Sequence, residues 1–188
     1  MTGTDTFHES LQYIQQKTKS ILESVPRENI DRVTEAFFTT NRTFVYGAGR
    51  SGLVSKAFAI RLVHLGFQTF VIGGTIGAPI KKGDLVWIVT GSGETIPSVM
   101  TAEIAKKIGA TLVVITGKKQ SRITKFADIA IILSVDCLEK EQKQYAPLGT
   151  LFEASTWILL DGIIAELMKK KKETEESMRS RHATLELP

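Results

Sequence analysis

The residues of this chain best suited to chemistry sit in two glycine-rich segments. The first, Gly47-Ala48-Gly49-Arg50-Ser51-Gly52, follows Thr43-Phe44-Val45-Tyr46. The second, Thr90-Gly91-Ser92-Gly93-Glu94-Thr95, follows Leu85-Val86-Trp87-Ile88-Val89. Each stands where a hydrophobic run ends and helical periodicity begins. Glycine lets the backbone approach a ligand closely, amides at a helix start point outward with partial positive charge, and serine and threonine hydroxyls add donors. Both segments therefore read as anion cradles, and a phosphorylated small molecule is the guest that suits them.

The first segment also matches G-x-G-x-x-G through Gly47, Gly49 and Gly52. A dinucleotide site needs, in addition, an acidic residue at the end of the second strand to bind ribose hydroxyls. Here the run Gln68 to Ile72 ends in Gly73-Gly74 with no carboxylate nearby, which argues against a dinucleotide. Neither segment contains the G-K-[ST] of a Walker loop. In the second segment Ser92 and Thr95 lie three residues apart at a helix start, so one hydroxyl can cap the turn while the other reaches an anion. Plain helix capping is the alternative, and Glu94 would suit the helix dipole in either case. Two such loops on consecutive sheet positions favour the anion.

These loops must be carried by an alternation of strands and helices. Short apolar, β-branched and aromatic runs predict strands at 43 to 47, 68 to 72, 85 to 90, 111 to 115 and 129 to 133. Amphipathic stretches predict helices at about 51 to 65, 95 to 108, 121 to 126 and 149 to 171. Near-continuous apolar strands such as Leu112-Val113-Val114-Ile115 fit a parallel sheet covered by helices on both faces, an α/β fold. Such sheets bind ligands beyond the carboxyl ends of their strands, where both glycine segments fall. The division expected is an N-terminal helical segment over 1 to 42, broken at Pro26, an α/β core over 43 to 172, and a polar tail over 173 to 188. That tail could fray or dock on a neighbour.

Composition narrows the class. With 188 residues, 43% hydrophobic and 23% charged, the chain can bury a full core within one domain. One cysteine, Cys137, excludes an internal disulfide and a cysteine-only metal site, so a reducing cytoplasm is the expected location. No apolar run approaches the roughly 18 residues needed to span a bilayer, and Met1 to Ser10 is too polar for a signal peptide. Much of the net charge of +4 lies in Lys118-Lys119 and in Lys169 to Lys172, the latter suited to a helix C-terminus. No aromatic-interleaved basic stripe accompanies them, so neither a nucleic-acid nor a membrane partner is expected.

The paired loops resemble those of the sugar isomerase (SIS) domain. Ala59 to Phe67, Pro147-Leu148-Gly149-Thr150-Leu151-Phe152-Glu153 and Arg181-His182 extend the likeness, which resembles most the 6-phospho-3-hexuloisomerase group within that family. The resemblance implies a three-layer sandwich with a five-stranded parallel sheet in flavodoxin-like order and N-terminal helices. It implies no metal and no cofactor, a phosphorylated ketohexose as substrate, and a homotetramer, a dimer of dimers with sites near subunit boundaries. The implied reaction interconverts 3-hexulose 6-phosphate and fructose 6-phosphate through an enediol, as in formaldehyde assimilation by the ribulose monophosphate pathway. Position by position, Ser51, Ser92 and Thr95 match phosphate-binding hydroxyls, with Gly49, Thr90, Gly91 and Gly93 in the same loops. Glu153 matches the catalytic base, His64 a recurrent histidine and Arg50 an active-site basic position, while His182 belongs to a tail that could contribute. Thr184 stands where asparagine is expected, which puts that side chain's contact in doubt.

The bland alternatives are specific. Glu153 could serve the helix dipole, His64 could be a packed core residue, and Trp87 and Trp157 are expected to fill core volume. Among rival activities, arabinose 5-phosphate isomerases carry a histidine in the loop after the second strand, which Gly73 to Pro79 lacks. Three scattered histidines do not favour a metal-dependent phosphoheptose isomerase. A non-catalytic phosphosugar sensor would use the same cradle without needing Glu153 or His64.

Overall fold

The computed structural model describes residues 5–75, 77–134 and 136–183. Two helices lead the chain, α1 (Thr6–Glu23) and α2 (Arg27–Thr39). The alternating part comprises β1 (Thr43–Gly47), α3 (Arg50–His64), β2 (Thr69–Val71), β3 (Leu85–Thr90), α4 (Ile96–Ile108), β4 (Thr111–Thr116), a 3-10 turn (Ile123–Lys125) and β5 (Ile129–Ile132). Three helices follow: α5 (Glu139–Tyr145), α6 (Thr150–Lys171) and α7 (Glu175–Arg179). The five strands form one sheet in the order β2-β1-β3-β4-β5, and all neighbours are parallel.

Strand residues alternate between the sheet's two faces, so consecutive apolar residues feed different cores. Val45, Trp87, Val113 and Ile131 pack with buried residues of α1, α2, α3 and α6. Phe44, Val86, Ile88, Leu112 and Val114 pack with Val99, Ala102 and Ala105 of α4. The result is three layers, helix over sheet over helix. Every residue of β3 is buried, as a central strand covered on both faces requires. Trp87 anchors the larger core, its ring 5.6 Å from Phe37 and 5.2 Å from Phe58. Pro26, with its fixed φ and missing amide, separates α1 from α2.

Four details depart from the sequence reading. The segment 121 to 126 closes as a single 3-10 turn rather than a helix. There Ser121 and Thr124 hydrogen-bond locally, at 3.1 Å and 2.9 Å, which competes with helix propagation. Helix α5 has no buried residue and so left no apolar periodicity to find. Helix α7 is nucleated by a capping box between Thr174 and Ser177 within the polar tail. Trp157, expected in the core, is 47% exposed. Leu151, Ser155, Leu159 and Ile163 fill the inward face of α6 and turn Trp157 toward a surface groove.

Candidate active site

The sheet reverses its order at β1, with β2 on one side and β3 on the other, and open parallel sheets place ligand sites at such a switch point. Register pairs Gly47 with Val89 and Thr90 with Thr116, so the loops after β1, β3 and β4 open side by side. In the first loop, a Cβ on Gly47 would lie 2.7 Å from the Gly52 amide nitrogen, and one on Gly52 would lie 2.5 Å from the Gly47 carbonyl. These two glycines let strand and helix touch backbone to backbone. Gly49, at φ 57°, turns the chain into α3. Their spacing is thereby explained without a dinucleotide.

The second loop gathers hydroxyls. The Thr95 hydroxyl lies 3.5 Å from those of both Thr90 and Ser92. Such separations are long for O–H···O bonds, so these groups can turn to a guest. Thr95 precedes α4 as its N-cap residue but makes no side-chain capping bond, so its hydroxyl is not committed to the first turn, where Pro97 has no amide to offer. Glu94 points away, its carboxylate accepting from the Arg122 amide at 2.8 Å. Gly93 adopts φ 69°, and a Cβ there would meet the Ser121 hydroxyl oxygen at 2.3 Å.

Glu153 stands in the first turn of α6, its amide bonded to the Gly149 carbonyl at 2.9 Å. Its carboxylate accepts from the Arg50 guanidinium, at the first position of α3. The pair is asymmetric: the Arg50 side chain is 71% exposed and that of Glu153 only 13%. A cavity of about 370 Å³ beside them is lined by Leu53, Val54, Thr150 and Trp157. Val54 and Trp157 also line a second cavity of about 290 Å³ that contains Arg61, His64, Asp161 and His182. The two cavities lie next to each other between α3 and α6, sharing these two residues.

The structure brings Gly49, Arg50, Ser51, Thr90, Gly91, Ser92, Gly93, Thr95 and Glu153 to one edge of the sheet. It does not bring His64 there. His64 ends α3, fourteen positions after Arg50, or about 21 Å along the helix axis. It is buried, and its ring stacks on His182 at 4.0 Å between centroids and 13° between planes. Arg181 fastens this tail, donating to the His64 carbonyl at 2.8 Å and to the Glu173 carboxylate at 3.0 Å and 3.2 Å. The hydrogen bond from Arg181 holds the Glu173 carboxyl below its ordinary value. Thr184 lies outside the described residues.

Trp157 and Asp161 were not singled out for the site by sequence reasoning. They follow Glu153 at intervals of four, the spacing that places side chains on one helix face, and that was the signal available. Among the described residues, no group of three or more His, Cys, Asp and Glu is placed to hold a metal ion. Among the described residues, no single helix is long and apolar enough to cross a membrane.

Comparison with known proteins agrees with this architecture. The SIS domain family matches residues 36–147. A 3-hexulose-6-phosphate isomerase of Methylomonas aminofaciens is 37% identical, over 90% of this chain and 94% of that protein. One of Bacillus subtilis strain 168 is 36% identical, over 86% and 89%. The crystal structure of a Methanococcus jannaschii protein, for which a 3-hexulose-6-phosphate isomerase function was inferred, superposes with a TM-score of 0.85 at 31% identity. That match covers 94% of this chain and 99% of the other. The chain belongs to the SIS domain family and, within it, to the group of 3-hexulose-6-phosphate isomerases.

Proposed function

We propose that this isomerase interconverts 3-hexulose 6-phosphate and fructose 6-phosphate by acid-base catalysis, with Glu153 as the base. The observation that carries the reading is the Arg50–Glu153 pair beside the hydroxyl cup of Thr90, Ser92 and Thr95. The phosphate is bound by Ser51, Ser92 and Thr95, assisted by Thr90 and the close backbone of Gly49, Gly91 and Gly93. Anchored there, the open-chain ketose extends toward Glu153. A 3-ketose with its terminal oxygen phosphorylated cannot close a five- or six-membered hemiketal, so a ring-opening acid matters less here than in aldose isomerases.

Glu153 takes the proton from C2, the electron pair forms the C2–C3 double bond, and the C3 oxygen becomes an enediolate stabilised by the Arg50 guanidinium. The proton returns to C3 while the hydroxyl proton passes from O2 to O3. Nothing is oxidised overall. The pair has to open for this to happen, and the exposed partner, Arg50, is the one free to swing.

His64 and His182 join a site at the other end of α3, in our reading, by coming from a second copy. Two α3 helices packed antiparallel across a two-fold axis would set His64 of each copy near Arg50 of the other. Exposed Leu53, Ile60, Val63, Trp157 and Ile158 supply an apolar surface for that contact. A separate stripe on α4, Ile96, Met100, Ile104 and Ile108, supports a second interface and hence a homotetramer. A cytoplasmic enzyme of formaldehyde assimilation fits the same reading.

The test is turnover of 3-hexulose 6-phosphate by purified protein in metal-free buffer, with fructose 6-phosphate followed in a coupled assay. Glu153→Gln should lose about 10²–10⁴-fold in kcat and lose solvent proton exchange at C2. Near-normal turnover in that variant would overturn Glu153 as base. Binding of the phosphosugar without wild-type turnover would favour a sensor.

A further inference from the structure

Phe152, the residue before Glu153, is buried among the ends of β3 and β4 rather than in the groove. A Cβ on Gly91 would lie 3.3 Å from its ring, and one on Gly117 would lie 3.8 Å from it. Gly117 donates its amide to the Gly91 carbonyl at 2.9 Å, and the Thr116 hydroxyl donates to the same carbonyl at 3.3 Å. The two bare glycines thus form a slot whose floor is cross-linked by hydrogen bonds, and the Phe152 ring fills it.

We propose that Phe152 is a positioning residue that sets the distance between the phosphate cradle and the base. Gly91 precedes Ser92, Gly93 and Thr95, so the loop whose hydroxyls hold phosphate is the loop on which the ring rests. Glu153 follows Phe152 on the same helical turn, about 100° around the axis, so a ring seated in the slot directs the carboxylate toward the groove. A side chain at Gly91 would press on the ring from 3.3 Å and shift that turn, whereas one at Gly117 would first crowd the Gly91 carbonyl at 3.0 Å. This inference rests on the phosphosugar isomerase reading for its kinetic consequence, though the mechanical coupling stands on the packing alone. A misplacement of about 1 Å can cost on the order of 10²-fold in rate without loss of binding.

The experiment compares wild type, Phe152→Leu, Phe152→Ala, Gly91→Ala and the double variant Gly91→Ala with Phe152→Leu. For each, kcat and KM are measured, together with the inhibition constant of inorganic phosphate, which can touch the cradle only. Hydrogen exchange of the Thr150 to Ala154 amides is followed with and without phosphate. Phe152→Ala should lose tenfold or more in kcat with phosphate inhibition changed less than threefold. Phe152→Leu should show the same split at three- to tenfold, and should partly restore kcat to the Gly91→Ala protein.

In the wild type, phosphate should slow exchange across Thr150 to Ala154, and Phe152→Ala should abolish that slowing while still binding phosphate. Should Phe152→Ala fail to fold, Phe152→Leu decides by the same criteria. Variants whose kcat stays within threefold of wild type, or whose kcat and phosphate affinity fall together, overturn the proposal, as does phosphate binding that leaves wild-type exchange unaltered. Wild-type protein that shows phosphate-dependent protection but no turnover overturns the substrate reading and leaves the coupling standing.

Discussion

Arg50 opens α3 and Glu153 sits in the first turn of α6, 103 positions later, yet the guanidinium donates to the carboxylate across the mouth of the groove. Two helix starts on neighbouring elements therefore meet at one ion pair. Arg50 is a planar donor fork that a lysine cannot reproduce. Arg50→Lys should lower kcat by about 10–100-fold, and Arg50→Ala by about 10²–10³-fold, because an enediolate loses its charged donor in the transition state. Steady-state kinetics with KM reported separately checks this, and a rise in KM alone would assign Arg50 to ground-state binding.

The cradle makes a different kinetic signature. At the proposed phosphate site, Ser92→Ala and Thr95→Ala would each remove one hydrogen bond to a charged group, worth about 1.5–3 kcal/mol. Each should raise KM and the phosphate inhibition constant by about ten- to hundredfold. Thr95 makes no side-chain capping bond to α4, so its loss should leave thermal stability nearly unchanged. A large fall in Tm in Thr95→Ala would restore the plain capping role.

The Arg181–Glu173 link depends on pH in one direction. Glu173 has its carboxyl held below the ordinary value of 4.5, chiefly by Arg181 and then by Ser177. A carboxyl with a lowered folded-state value stabilises above its ordinary value, and that contribution disappears as pH falls through the lowered one. The Glu173 contribution should be constant between pH 6 and 8 and be lost on acidification below about 4.5. Hydrogen exchange of the Arg181 and His182 amides, corrected for intrinsic rate, reads this, and Arg181→Ala should show the undocked rate already at pH 7.

The apolar faces predict assembly. Ile60→Asp places a charge on the exposed side of α3, away from the cores, so the chain should still fold while the proposed α3 contact is lost. Sedimentation should then report a smaller species with strongly reduced turnover if, as proposed, each site uses the His64 of its neighbour. A variant that keeps its size and activity would move the interface elsewhere.

The periodicity of the chain by itself determined the α/β alternation and the placement of both glycine loops. Apolar runs such as Leu85 to Val89, short, β-branched and bounded by glycine, fit a strand buried on both faces, and the glycines mark where a strand turns into a helix. The hydroxyl spacing of Ser92 and Thr95 was equally legible, because it is local. Helix α5 was not legible, since a helix that buries nothing carries no apolar period. Trp157 was misplaced for a related reason: α6 is apolar around much of its circumference, and composition cannot say which side meets the sheet. The meeting of Arg50 with Glu153, the seating of Phe152 against Gly91 and Gly117, and the separation of His64 from Glu153 came only from the tertiary structure. Those relationships join residues far apart in the chain, and it is the packing of α3 and α6 on a sheet with strand order β2-β1-β3-β4-β5 that sets their distances.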